Sequence, residues 1–313
     1  MTKQLDLFGG STKLHTKKEA KPRHTVAKIL HLGAGVQSSA LAEMIVEGEL
    51  PRVDFVIFAD TGDEPDYVYA QVEYLKQRLA GVGIPLVIVR REGLGLVQSV
   101  LYGSGRFITM PLYTKQPNGQ VAIVRRQCTK EYKIVPSDNY TLNWMVETGY
   151  AKWSEGKAPR RIVNRDVLIE NIYGISVEEF YRAGKRGPQW QSAVYPLIDK
   201  RMTRLDCVKW LRDHGLPVPK KSSCKRCPYH DDEYWLDQQT NHPIDFEESC
   251  AFDEFLRTPE GIKRFKGSMK GKLFLHSSCQ PLRSINLAER VAAKNATPLF
   301  DFTDPMCGNH CRI

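Results

Sequence analysis

Lys28-Ile29-Leu30-His31-Leu32-Gly33-Ala34-Gly35-Val36-Gln37-Ser38-Ser39 passes from a short apolar run through a glycine turn into residues that keep helical apolar spacing as far as Glu49. Downstream, residues 53–59 form a second apolar run bounded by Pro51 and Asp60. Residues 65–80 then place Tyr67, Val68, Val72, Leu75 and Leu79 on one helical face, and residues 85–89 make a third apolar run. Strand, helix, strand, helix, strand predicts an α/β chain with a parallel sheet, because parallel neighbours need a crossover between them. A glycine turn between a strand and a helix is also how a chain builds an anion site. Glycine lets the backbone approach oxygen atoms, and the helix start adds partial positive charge. Ser38 and Ser39 either donate hydroxyls to phosphate or cap the helix, and a tight capped connection accounts for the same residues.

The chain has 313 residues, 42% of them hydrophobic and 26% charged, enough for about two domains with real cores. No apolar run approaches the roughly 18 residues of a membrane helix, so no membrane partner is expected. The first twenty residues carry no apolar leader, and the expected compartment is the cytoplasm. Eight cysteines are too few for a disulfide scaffold in a chain this long and suggest metal binding or thiol chemistry. The net charge of +9 suits nucleic acid or a nucleotide, although a basic surface kept for solubility gives the same balance.

Composition divides the chain into a disordered basic tail (1–24), a nucleotide-binding domain (25–200), and a mainly helical, cysteine-containing region with a mobile end (201–313). Inside the second part, residues 93–121 read as a long loop punctuated by Gly103, Gly105, Pro111, Pro117 and Gly119. A helix is predicted from Thr129 to about Glu147, a polar basic connector over 151–165, a strand over 171–175 and a helix over 203–214.

Asp60-Thr61-Gly62 closes the second strand at the rim where open parallel sheets bind ligands. A carboxylate there can meet a ribose hydroxyl, a magnesium ion or an amine. Cys224-Lys225-Arg226-Cys227 has three readings. With Cys207 and His230 it makes a zinc set; alone it makes a redox dithiol; with thiolates from elsewhere it holds an iron-sulfur cluster.

Residues 33–39 resemble the PP-loop of the ATP pyrophosphatase and sulfonucleotide reductase superfamily, and Ile57-Phe58-Ala59-Asp60-Thr61-Gly62 resembles its second-strand motif. Val36 and Gln37 stand where the pyrophosphatases usually carry Lys and Asp, which points to the phosphoadenylyl-sulfate (PAPS) reductase-like branch. The resemblance extends over about residues 28–235. It takes in Gln127-Cys128-Thr129 with Pro136, Tyr195-Pro196-Leu197-Ile198, and Ser223-Cys224-Lys225-Arg226-Cys227, with Thr129 in place of a second cysteine. It implies a doubly wound Rossmann-like sheet of PP-loop type. ATP or an adenylyl sulfonucleotide would lie on Gly33, Ala34, Gly35, Gln37, Ser38, Ser39, Asp60, Thr61 and Gly62, with magnesium as a companion. A [4Fe-4S] cluster would lie on Cys128, Cys224 and Cys227, with Cys207 first in line as fourth ligand and Cys307 or Cys311 next. Asn171-Ile172-Tyr173-Gly174 with Glu178 and Arg182 is similar to the superfamily's substrate loop, so Gly174 approaches the nucleotide and Arg182, Lys185 and Arg186 pair with its oxyanions. Cys250 and Cys279 are expected to be buried and inert.

Cys307-Gly308-Asn309-His310-Cys311 resembles the mobile nucleophile-bearing tail of sulfonucleotide reductases, making Cys307 and Cys311 catalytic candidates beside Asp60. Gln4-Leu5-Asp6-Leu7-Phe8 resembles the peptide by which replication proteins hold the sliding clamp. The leading expectation is nucleotide-dependent sulfur transfer to nucleic acid, fed by a sulfur donor protein or thiol reductant. The alternatives are a reductase releasing sulfite and a non-catalytic adenine-nucleotide-binding module.

Overall fold

A computed structural model describes residues 23–103, 109–184, 187–265 and 271–296. The first half alternates β1 (His24–Leu32), α1 (Val36–Val46), β2 (Phe55–Asp60), α2 (Asp66–Gly81) and β3 (Leu86–Arg90). There follow α3 (Leu96–Tyr102), β4 (Tyr113–Lys115), β5 (Val121–Ile123) and, after a π-helical turn over Lys130–Ile134, α4 (Val135–Glu147). Next come β6 (Ala151–Trp153), β7 (Arg161–Val163), β8 (Val167–Tyr173), a 3-10 turn at Val177–Arg182, β9 (Gln191–Val194), α5 (Pro196–Asp199) and α6 (Arg204–Asp213). The rest is α7 (Asp232–Asn241), α8 (Pro243–Phe255), α9 (Pro259–Phe265), β10 (Lys272–Phe274) and α10 (Leu287–Ala296).

The central sheet is parallel, with strand order β3-β2-β1-β8-β9, and helices cover both of its faces, an α/β Rossmann-like fold. Alternation along the strands splits the core by face. Leu30, Leu32, Val56 and Phe58 pack with Leu41, Leu75, Leu79 and Leu211 from α1, α2 and α6. Ala27, Ile29, Phe55 and Ile57 point the other way, onto Met145 and the rings of Tyr140 and Trp144 on α4. Each such fully buried aliphatic side chain contributes about 1.5–3 kcal/mol. The order reverses between β1 and β8, so the glycine turn after β1 sits at the switch point where doubly wound sheets take ligands.

A further core joins distant segments: Leu96, Val97, Val100, Met110, Leu112 and Tyr132 pack with Trp235, Phe246, Phe252, Leu273 and Leu282. The expected boundary at residue 200 therefore does not separate the cores. Residues 96–132 join the late helices, and α6 packs on the first core. The expected loop over 93–121 holds α3 and β4, and β4 lies between β5 and β10 in a small antiparallel sheet. The expected connector over 151–165 is a β6–β7 hairpin. Among the described residues no helix is long and apolar enough to cross a membrane.

Candidate nucleotide and thiol site

The turn after β1 is built for a close backbone approach. Ala34 takes a left-handed conformation (φ 55°), and Gly35 caps α1 in an extended one, so no side chain of the cap residue takes up the first-turn amides. Ser38 staples the turn, its Oγ accepting from Gly33 N–H at 3.1 Å and donating to Gly35 O at 3.3 Å. Ser39 is fully buried and its Oγ accepts from Gln71 Nε2 at 3.4 Å, so the expected phosphate hydroxyl is instead spent on the packing of α1 against α2.

Gly174, at the end of β8, lies directly on this turn: a Cβ there would stand 2.8 Å from Ser38 N. Gln37 Nε2 donates to Glu179 at 3.2 Å and to Ser176 Oγ at 3.3 Å, and Arg182 forms an ion pair with Glu179. Gly174 thus lies on the glycine turn, and Arg182 is joined to Gln37 of the turn through Glu179. Beneath them His31 Nε2 lies 2.7 Å from Asn171 Oδ1, its ring stacked on Tyr173 at 4.8 Å, and burial lowers its pKa. The sequence reading gave His31 no role, since it reads as an ordinary strand residue.

Asp60 is 2% exposed and fully engaged: it accepts from Gly62 N–H at 2.7 Å, Tyr69 Oη at 2.9 Å and Arg90 Nε at 2.7 Å. These contacts make it the anchor of the β2–α2 turn, in which Gly62 has φ 74°. The two acids that follow it reach the thiols. Asp63 accepts from Lys225 N–H through its backbone oxygen at 2.7 Å and from Arg226 N–H through its carboxylate at 3.2 Å, and it pairs with the Arg226 guanidinium. Burial raises the Asp63 pKa to about 6 despite Arg226. Glu64 accepts from Thr61 Oγ1 at 3.1 Å and from the Cys224 thiol at 3.6 Å, and lies 3.7 Å from Lys133 Nζ. Thr61 Oγ1 is 3.3 Å from Cys224 Sγ. Burial, then Glu64, pushes the Cys224 pKa well up, with Lys133 opposing. Just before the cysteines, Ser222 rests on the turn, its Oγ 2.8 Å from where a Gly35 Cβ would stand.

Cys128, half-buried, donates its N–H to Thr109 O at 2.9 Å and packs with Cys224 against the same apolar core. Beside it Thr129 Oγ1 is buried with no hydrogen-bond partner. Cys207 does not join them. It is fully buried on α6 in the first core, where burial lifts its thiol to about 12. His230 turns Nε2 to the Cys224 carbonyl at 2.8 Å, stacks on Tyr234, and burial drops its pKa to about 3, so the expected Cys207–His230 zinc set is not assembled. Among the described residues no three Cys, His, Asp or Glu side chains form a group able to hold a metal ion. The expected cluster ligands therefore share a neighbourhood without making a closed set. Cys250 and Cys279 are buried. Cys307, Cys311, His310, Lys185, Arg186 and the segment from Gln4 to Phe8 lie outside the described residues.

Shallow hollows lie between Tyr67, Tyr234 and His242 and between Lys28, Leu50, Glu170 and Pro196.

No family model matches the chain, and no curated protein matches it. Among solved structures, it is similar to the U34-tRNA thiolase NcsA from Methanococcus maripaludis with its [4Fe-4S] cluster. That likeness has a TM-score of 0.38 and 15% identity, over 86% of this chain and 83% of that one.

Proposed function

We propose that this chain is a PP-loop-type enzyme that uses an adenine nucleotide to activate an oxygen of a nucleic acid and replaces it with sulfur handled by the thiols of Cys128, Cys224 and Cys227. One observation supports this above the others. The Cys224 thiol is held by Thr61 and Glu64 at the carboxyl end of β2, and the residue two before it rests on the glycine turn at the sheet's switch point.

The residues divide the work. The turn of residues 33–38 and the first-turn amides of α1 receive phosphates; Gln37 and Arg182, joined through Glu179, border the same rim. Ser222, which rests on the turn, lies two residues before Cys224, so the phosphate turn and the thiol are linked through one short segment. Glu64 accepts the hydrogen bond of that thiol, whose pKa burial pushes up. The PAPS reductase-like assignment and the [4Fe-4S] cluster belong to this proposal as its finer form. The residues that would hold a cluster are Cys128, Cys224 and Cys227, and among the described residues they do not enclose one as they stand.

The test is pyrophosphate release from ATP by anaerobically purified full-length protein, with and without mixed tRNA and DNA, together with sulfur-35 incorporation into the nucleic acid. The expected result is nucleic-acid-stimulated pyrophosphate release in the wild type and loss of label, with release retained, in Cys224→Ser. Release of sulfite from an adenylyl sulfonucleotide, with no pyrophosphate from ATP, would overturn the reading.

A further inference from the structure

The β6–β7 hairpin takes no part in the site just described, and its chemistry is unlike the rest of the surface. Residues 150–166 carry Lys152, Lys157, Arg160, Arg161 and Arg165 against Glu155 and Asp166. Several cations elsewhere are matched by acids: Arg78 with Glu43 and Glu47, Arg226 with Asp63 and Glu248, Arg283 with Glu247 and Glu254. Among the described residues none of the five hairpin cations forms an ion pair. Asp166 is drawn off by His24 at 3.9 Å.

Trp153 stands across from Arg161 in the ladder and is 52% exposed. The Arg161 guanidinium covers one face of its ring at 5.5 Å. Arg161 is itself fixed, donating to Asn139 O at 3.0 Å, to Asn139 Oδ1 at 2.6 Å and to Asn143 Oδ1 at 2.7 Å. One face of the indole is therefore braced and the other left to solvent. A surface kept basic only for solubility has no use for an exposed indole.

The direction of the hairpin matters. It leaves the chain beside the start of β8, at the amino end of the sheet, where Tyr150 meets Trp144 on α4. From there it runs back along α4: the Trp153–Arg161 pair lies at Asn139, a turn further toward the helix start. At 1.5 Å per residue, Asn139 is about 9 Å along the axis from Lys133, the residue that reaches Glu64 beside Cys224. The tip that carries Lys157 and Arg160 is held by Ser154 N–H donating to Arg160 O at 2.8 Å and by Arg160 N–H donating to Ser154 Oγ at 2.9 Å.

We infer that the β6–β7 hairpin is a nucleic-acid arm: an unpaired base stacks on the open face of Trp153, and Lys152, Lys157, Arg160 and Arg165 take the flanking phosphates. The inference deepens the proposed function and rests on its nucleic-acid half. Stacking tolerates any base, and phosphate pairing carries no sequence information, so the arm supplies affinity and direction while the rim supplies selection.

The test is fluorescence anisotropy with short labelled single-stranded DNA, single-stranded RNA and duplex DNA, titrated with full-length protein over a range of salt. Quenching of tryptophan emission is followed in parallel. Trp153→Ala is expected to weaken single-strand binding about tenfold and Trp153→Phe to retain most of it. Lys157→Ala with Arg160→Ala is expected to flatten the salt dependence by about 0.7 for each phosphate no longer neutralised. All three variants should keep the wild-type melting temperature, since none of these side chains is in a core. Wild-type affinity and salt slope in Trp153→Ala and the double variant would overturn the arm while leaving the proposed function standing, and binding confined to duplex would overturn the stacking. A wild-type protein that bound none of the probes would remove the nucleic-acid half of the proposed function and the arm with it.

Discussion

The loop of residues 60–64 and the β6–β7 hairpin are both rich in charge, and they use it in opposite ways. In the loop each acid has a partner within the chain: Asp60 with Arg90, Asp63 with Arg226, Glu64 with Lys133. These carboxylates are nearly or fully buried, and the Asp63–Arg226 pair fixes together segments that lie 163 residues apart in sequence. In the hairpin the cations are at or near the surface and answered by no acid among the described residues. Charge satisfied inside the chain builds a site, whereas charge left unsatisfied at the surface is available to a partner.

The contrast breaks most visibly at Arg226→Met. It leaves the Asp63 carboxylate buried without its cation, a change that costs about 3–5 kcal/mol. The pH dependence has a definite sign. Asp63 has its folded pKa raised from 3.8 to about 6, so the folded state holds the proton more readily than the unfolded one, and this group's contribution to stability falls as pH rises through that window. Arg226 opposes the rise, so removing it moves the folded pKa further up. Urea denaturation of Arg226→Met should show a deficit that is largest above about pH 6 and shrinks on acidification.

Gly174→Ala tests the same region at its backbone. Its Cβ would meet Ser38 N at 2.8 Å and Ser38 Cα at 2.9 Å, and neither atom can rotate away. Overpacking of this kind costs about 1–3 kcal/mol, and the displacement falls on the phosphate turn. Calorimetric titration with ATP should show binding weakened at least about tenfold. Gly35→Ala is the control. There the obstacle is the Ser222 hydroxyl, the end of a side chain that can turn, so its loss of stability should be smaller and should be relieved by Ser222→Ala.

What the sequence disclosed follows from how far each interaction reaches along the chain. The alternation of β1, α1, β2, α2 and β3 was legible because burial on both faces of a parallel sheet imposes local periodicity. Gly174 and Arg182 were singled out only through the resemblance, since the contact of Gly174 with Ser38 and the link from Arg182 through Glu179 to Gln37 join segments that spacing does not connect. The docking of Lys225 and Arg226 on Asp63 leaves no local trace, since any basic pair between two cysteines reads as a solvated loop. Cys207 was misplaced for a related reason: proximity in sequence to Cys224 suggested shared ligation, but the face of α6 that carries it belongs to a different core. His230 likewise had the right spacing and the wrong orientation, its ring nitrogen committed to a carbonyl. The hairpin was read as a connector because its strands are three residues each, too short for a period of two to register, and because charge on both strands hid the indole between them.

The smallest expected effect sharpens the comparison from the hairpin side. Reversing charge at Lys157→Glu with Arg160→Glu removes no ion pair and opens no cavity, so the melting temperature should stay within about 2 °C of the wild type. The same reversal made at a matched cation is a different experiment. Arg226→Glu would set a second acid beside Asp63 and Glu248, and the folded protein should be lost at moderate denaturant. Differential scanning fluorimetry on the two variants measures directly which charges the fold consumes. Equal losses would mean that the hairpin cations carry structural load. A loss confined to Arg226→Glu would place the excess positive charge of the hairpin outside the energetics of folding, because a chain of net charge +9 relieves its own repulsion when surface cations are reversed and gives up only what those cations do for a partner.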